Sequence, residues 1–486
     1  MQGRRVLIVV WDGLRPDLVT ESETPTVCRL RERGGWFERS FCVYPTETRV
    51  NAASLATGAY PPAHGIVGNT LFLPQVDAVV PLDTGDHDVL VRIERAAGPL
   101  VGATPLGRRV LEAGGAIAVV SSGSPGSAFL CNPLAGEPGT LLINRELVLP
   151  AEQGPAIRRR FGPAPPGGTP ATAQNEWITR LLLEHVLPEV QPVVAICWYR
   201  DPDTTLHKCG LGSPEALAAL RANDRCLAAL LDGLDRLGWT DSTDILLTSD
   251  HGFSSVKAVP GGGISRGLVD AGLKRDAHST DVIVSGGAIY LSDDAAGRAP
   301  AIVAWLQQQP WIGNVFVRDD GPADGLPGTI ALSAVWDGWS SPRCPAIQCS
   351  FQWTDEPNEA GVPGISLRAS GVATHGSASP YDLRHTLVVA GPHFRQGYVS
   401  ALPAGIVDIA PTVLALLDLP PLPTAQGRVL REACRDAATT DPPREVEDEE
   451  SASAVLPGGR VYRQRVRLAR VGDTAYLLGG WAARSW

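Results

Sequence analysis

Lysine is almost missing from this chain: Lys208, Lys257 and Lys274 are its only examples, so nearly all of the cationic charge is arginine. Positive charge as a whole is outnumbered. With 42 basic against 52 acidic residues the net charge is −10, which excludes nucleic acid as the main or a stable partner, because a phosphate backbone calls for a basic surface. A small anionic substrate stays open, held through local cations or metals. Also absent is any apolar run approaching the roughly 18 to 20 residues of a membrane span. The opening MQGRRVLIVVWDG has a short apolar run that stops at Trp11 and Asp12, too short for a signal peptide and without its cleavage site. The nine cysteines are odd in number and scattered, with no CxxC pair. They read as reduced thiols of a cytoplasmic protein with no membrane partner.

What the chain does have is length and apolar content for a large core: 486 residues, 44% of them hydrophobic. That is enough for one big α/β domain with insertions or for two to three smaller ones. RRVLIVVWDG is a continuous apolar run ending in Asp-Gly, the pattern of a strand buried on both faces that delivers an acid at its carboxyl end. GAIAVVSSG, PVVAICWYRD, DILLTSDHG and HTLVVAGPHF repeat it, and helical patterns such as PTVCRLRERGG and PEALAALRANDRCLAALLDGLDRLG lie between them. Strands alternating with helices predict an α/β fold with a doubly wound, mostly parallel sheet and helices on both faces. Asp12, Asp201, Asp203, Asp250 and His251 all fall where a predicted strand stops.

The rhythm breaks in four places. Residues 71–105 and 124–175 are rich in Pro, Gly and Ala with weak periodicity, and RRRFGPAPPGGTP reads as an exposed loop. Residues 253–370 carry a Gly-rich stretch and then a β-α-β-like unit (GGAIYLSDD, AIVAWLQQQPW, NVFVRDDG), which predicts an inserted small α+β subdomain over the site. Residues 433–486 open with the charged run REVEDEESASA, expected to be a flexible acidic linker before a short strand-like tail. The catalytic domain is accordingly expected over 1–252 and 371–432.

Asp203 and His207 stand four apart in DPDTTLH, a spacing that points both one way from a helical turn. SDHG sets Asp250 beside His251 at a strand end, THGS supplies His375, and WDG supplies Asp12. Three Asp and three His suit borderline divalent ions such as zinc, and six ligands exceed what one tetrahedral zinc needs. Two metals prepare an in-line displacement at phosphorus. A threonine hydroxyl becomes a competent nucleophile once a metal lowers its pKa, and at the first turn of a helix free N–H groups lie nearby to hold phosphoryl oxygens. TETRVNAASLATG reads as such a helix, with Thr46 or Thr48 at its start.

The segments WDGLRPD, PTETRVNAASLATGAYPPAHGIVGN, DPDTTLHKCG, TSDHGF and THGSASPYDLRHTLVVAGPHF resemble, in order, the motifs of the nucleotide pyrophosphatase/phosphodiesterase family of the alkaline phosphatase superfamily. The resemblance runs from residue 6 to about residue 420 and is poor in the insertions. It implies that Thr48, the second threonine of Pro-Thr-x-Thr, is the nucleophile. It implies one metal on Asp203, His207 and His375, another on Asp12, Thr48, Asp250 and His251, and a phosphoryl oxygen on Asn69. The function so implied is a two-zinc hydrolase of phosphate esters, with phosphodiester or pyrophosphate bonds preferred, working through a phosphothreonine intermediate. A phosphonoacetate hydrolase-like enzyme, a phosphomonoesterase and an inactive metal- or ligand-binding relative are the alternatives.

One departure bears on substrate. Nucleotide-cleaving members follow the nucleophile with an aromatic residue that stacks on the base, and here Arg49 follows Thr48. Arg49 reads either as a cation for a second negative charge on the substrate or as a structurally paired arginine. Trp198 stands at a family aromatic position and reads either as a stacking surface for a leaving group or as core. Thr46, Asn51, Thr57 and His64 read as structural; His87, His185, His385 and His393 have no motif support, and His278 in the insertion is a residue that could reach substrate.

Overall fold

The computed structural model describes residues 3–259, 261, 263–336, 341–436 and 444–485. Part of the Gly-rich stretch (260 and 262) and part of the expected linker (437–443) lie outside the described residues.

Nine strands form the central sheet: β1 Arg5–Trp11, β2 Gly35–Phe37, β3 Ile117–Ser121, β4 Thr140–Asn144, β5 Val148–Leu149, β6 Val194–Tyr199, β7 Thr243–Thr248, β8 Leu387–Ala390 and β9 Tyr398–Ser400. Their order is β9-β2-β8-β7-β1-β6-β3-β4-β5. β7, β1, β6, β3 and β4 run parallel, while β8 pairs antiparallel with β7. The apolar runs explain the centre: Val6 to Trp11 are buried on both faces, as parallel strands with covered faces require. One face packs on the helix α2 Thr48–Thr57, and the other on α4 Pro214–Arg236 with α1 Pro25–Arg33. Between these helices in sequence lies the short α3 Asp203–Cys209.

Two expectations need correction here. RRRFGPAPPGGTP is not all loop, because Arg158–Phe161 end the helix Gly154–Phe161; the weakly periodic stretch 124–175 around it also holds the helix Pro125–Cys131 and the buried β4, which at five residues is too short to show a period. The acidic run is no flexible linker where it is described. Glu445–Val455 pairs along its whole length with Val461–Val471, which pairs in turn with Thr474–Ser485. Its acids are answered by arginines: Glu445 and Glu447 by Arg39, Glu447 also by Arg467, Glu449 by Arg465. Low apolar content therefore marks an exposed edge strand with cross-strand charge pairs, not a segment unable to fold.

Between residues 253 and 370 the chain builds a five-stranded sheet with the helix Ala299–Gln308 on it, and most of a four-stranded sheet. The strands Ala288–Leu291 and Ile312–Val317 of the β-α-β-like unit are not neighbours; Ile347–Phe351 lies between them, antiparallel to both. The C-terminal sheet bridges this insertion to the central sheet's side. Tyr462 donates to the Gly313 carbonyl at 2.7 Å, and Tyr476 to Asp408 at 2.8 Å. None of the nine cysteines forms a disulfide, and among the described residues no helix is long and apolar enough to cross a membrane.

Candidate active site

β6, β1 and β7 lie side by side and parallel, so their carboxyl ends open at one edge. Asp12 follows β1, Asp203 starts α3 just after β6, and Asp250 and His251 follow β7. The edge is tied together by backbone bonds: Asp203 N–H donates to the Asp12 carbonyl at 2.9 Å, and Gly13 N–H to Asp250 Oδ1 at 3.1 Å. Gly13 has φ of +74°, and a Cβ there would stand 3.2 Å from the Asp203 Cβ. Glycine therefore allows both the left-handed turn and the close approach of the two acids.

α3 presents His207 one turn beyond Asp203, and its Nε2 lies 3.2 Å from Asp203 Oδ1. His375 Nε2 approaches the same oxygen at 3.4 Å. On the other side, His251 Nε2 is 3.4 Å from Asp12 Oδ1, 3.3 Å from Asp250 Oδ2 and 3.3 Å from the Thr48 hydroxyl. Thr48 is the first residue of α2. The six sequence-predicted ligands and the threonine are thus brought together, with ligand atoms of Asp203, His251 and His375, and of Asp12, Asp250 and His251, within 4.8 Å of one another in each group.

Two observations test whether this set fits metal ions. First, Asp12 Oδ1, Asp203 Oδ1 and Asp250 Oδ2 are buried and accept no hydrogen bond; these are the very oxygens that face the imidazoles, and buried carboxylate oxygens left so are costly. Second, each histidine donates its Nδ1–H to a backbone carbonyl: His207 to Ala373 at 3.0 Å, His251 to Gly252 at 2.9 Å and His375 to Thr46 at 2.6 Å. Every Nε2 is thereby left with its lone pair turned to the carboxylates, the arrangement that orients a ligating imidazole. The donor set fits divalent cations.

The electrostatics agree. Burial, with the Asp250 and Asp203 carboxylates close by, pushes Asp12 well above the usual range, and burial with Asp203 nearby lifts Asp250 to about 7. Burial and the neighbouring His375 hold His251 well below an ordinary histidine. With no cation between them, protonated His207 and His375 would instead hold Asp203 low in spite of its burial, supplying the positive charge themselves. Crowded acids that resist ionisation call for added positive charge.

Asn69 stands over α2: its Oδ1 accepts the Arg49 N–H at 3.0 Å, and its own backbone N–H donates to the Glu47 carboxylate. That leaves the Asn69 amide NH₂ as the group free to donate. Arg49 itself turns to Asp83, 3.7 Å away, and does not line the cleft above the metal ligands. Trp198 is fully buried and donates from Nε1 to Asp12 Oδ2 at 3.1 Å; with no exposed face it offers no stacking surface, and its contact with the site is this bond. His278 is exposed and is not among the cleft's lining residues.

The other threonines and amides of the segment hold it in place. Thr46 Oγ1 donates to the Ser377 carbonyl and accepts from Gly376 N–H, fastening the loop that carries His375. Asn51 accepts from Val43 N–H, Thr57 donates to the Ala53 carbonyl, and His64 bonds Ser54. Asp201 accepts from Ala171 and Thr205 and takes no part in the cluster. Sequence reasoning missed the acid and the arginine of the cleft, Glu47 and Arg368. Glu47 sits inside the Thr-Glu-Thr motif and was open to inspection; Arg368 comes from the insertion and carried no signal.

A family model described as "Type I phosphodiesterase / nucleotide pyrophosphatase" matches residues 6–304. A venom phosphodiesterase of Crotalus durissus collilineatus is 25% identical over 255 residues, which are 52% of this chain and 26% of that protein. Ectonucleotide pyrophosphatase/phosphodiesterase family member 1 of Mus musculus is 26% identical over 231 residues, 47% of this chain and 21% of its own length. The matched part thus spans only about a quarter of these relatives. In fold, the chain is similar to murine ectonucleotide pyrophosphatase/phosphodiesterase 5, solved as an inactive variant in complex with AMP, with a TM-score of 0.60 at 18% identity over 86% of this chain and 96% of that one.

Proposed function

The chain belongs to the type I phosphodiesterase/nucleotide pyrophosphatase family of the alkaline phosphatase superfamily, and from that premise we propose that it hydrolyses phosphate esters, phosphodiester or pyrophosphate bonds first, through Thr48. The observation that carries the reading is the Thr48 hydroxyl at the start of α2, 3.3 Å from His251 Nε2, beside three buried carboxylate oxygens without partners.

Asp203, His207 and His375 would hold one divalent ion, and Asp12, Asp250 and His251 with Thr48 a second, zinc being the ion this mixed oxygen and nitrogen set suits. Bound there, such ions acidify a hydroxyl and offset charge on phosphoryl oxygens. The chain's own residues do the rest. Thr48 Oγ1 gives up its proton to solvent and bonds to phosphorus as the bond from phosphorus to the leaving-group oxygen breaks and that oxygen takes up a proton from solvent, which makes a phosphothreonine ester. Water then attacks that phosphorus, the Thr48 oxygen leaves and is reprotonated, and the phosphorylated product is free. The Asn69 NH₂ would hold a phosphoryl oxygen through both steps, its Oδ1 being already bonded to the Arg49 N–H.

The test is hydrolysis of bis-p-nitrophenyl phosphate and p-nitrophenyl phosphate after metal removal and after zinc is restored. The reading expects diester cleavage that vanishes with the metal and returns with zinc, at a higher kcat/KM than the monoester. Turnover unaffected by chelation, or none of either ester with zinc bound, would overturn it.

A further inference from the structure

The cleft above the ligands, about 330 Å³, has two walls. One is the catalytic segment with Glu47 and Asn69; the other is the insertion, which contributes Gly286, Phe351 and Arg368. Arg368 is half-buried, with its guanidinium carbon 3.5 Å from the centre of the Phe351 ring. Its Nε donates to Ser366 Oγ at 3.1 Å and its Nη2 to the His375 carbonyl at 3.1 Å. An arginine has five N–H donors, so most of the fork is unused.

A cation withdrawn in part from water is stabilised by an anionic partner. Arg368 forms no ion pair among the described residues. Glu47, the acid that shares this cleft, is engaged with the Asn69 N–H. Arg49, the sequence's candidate for charge recognition, lies 3.7 Å from Asp83 and does not line this cleft. Stacked on a ring, anchored at one edge and opening on the cleft beside His375, the Arg368 guanidinium is held ready for an oxyanion with two oxygens to offer.

Resting on the phosphoester reading above, we propose that Arg368 is a specificity-determining residue: it binds a second anionic group, a carboxylate or phosphate, carried by the substrate away from the reacting phosphorus. The inserted subdomain then supplies substrate choice, while the catalytic domain supplies the chemistry. A purely structural Arg368, serving only to hold the His375 carbonyl, is the competing account.

The experiment compares 3-phosphonopropionate with ethylphosphonate, inert ligands that share a phosphonate and differ by a carboxylate, binding to the zinc-loaded full chain by calorimetry. A charge-assisted bond of about 1.5–3 kcal/mol corresponds to roughly 10- to 100-fold in affinity. The wild-type chain should prefer 3-phosphonopropionate by that factor. Arg368→Gln, and Arg368→Met, which keeps a stem over Phe351, should shrink the preference to below about threefold with ethylphosphonate affinity little changed. No preference in the wild type, or an equal loss of both ligands in the variants, would overturn the inference. Absence of zinc-dependent binding of either phosphonate would show instead that the phosphoryl site itself has been misread, and the inference would fall with it.

Discussion

At the residue scale the site depends on who satisfies which oxygen. Asp12 divides its carboxylate: Oδ2 takes the Trp198 indole N–H, and Oδ1 is left facing His251. Trp198→Phe keeps an aromatic ring in the core but is smaller and removes that donor, so a second buried oxygen loses its partner and a small cavity is left. The expected cost is about 1–3 kcal/mol of stability, accompanied by weaker zinc binding because Asp12 is no longer held in one orientation. Thermal unfolding with and without zinc checks both; an unchanged Tm and unchanged zinc affinity would show that the bond is incidental. The same residue shows where sequence reading stops. Trp198 at a strand end was compatible with a stacking surface and with core, and only the fold shows that the ring points inward. Asp12, Asp203, Asp250 and His251 drew attention because they fall at strand ends of an α/β sheet, His207 because it stands four residues from Asp203, and His375 through the THGS segment. Arg368 did not, since nothing local marks an arginine within PGISLRAS as facing a cleft built largely by distant residues.

Among the elements, the turn after β7 governs the geometry. Gly252 follows His251, and a Cβ on it would meet the Tyr381 carbonyl oxygen at 2.0 Å and the Arg384 carbonyl oxygen at 2.6 Å. Both obstacles are backbone, so the turn must move. Gly252→Ala should destabilise the fold by about 1–3 kcal/mol and displace His251, with zinc affinity falling alongside Tm. A variant with native Tm and native zinc affinity would contradict this role for the turn. Element recognition from sequence followed the same physics: long apolar runs such as Val6–Trp11 declared themselves, whereas the five-residue β4 and the charged strand Glu445–Val455 had no period or apolar face to announce them.

For the whole molecule, the catalytic sheet, the insertion and the C-terminal sheet are interlocked. Trp353 of the insertion donates to the Gly480 carbonyl at 2.7 Å, Asn314 to the Arg465 and Trp481 carbonyls, and Tyr476 to Asp408 beside α2. Val466, Leu468, Val471, Tyr476 and Leu477 belong to the main core. Removing residues 444–486 should therefore leave a chain with lowered Tm or no cooperative transition, rather than a trimmed enzyme; a truncated chain with native Tm and activity would show the C-terminal sheet to be dispensable.

The whole assembly converges on one hydroxyl, so the most direct measurement is diester turnover by zinc-loaded Thr48→Ala beside the wild type, with zinc content determined for both. The account predicts that the variant keeps zinc and its fold but loses at least about a thousandfold in kcat, as expected when a covalent nucleophile is removed. A zinc-loaded variant that turns over within about tenfold of the wild type would contradict it, because the attacking oxygen would then not be that of Thr48.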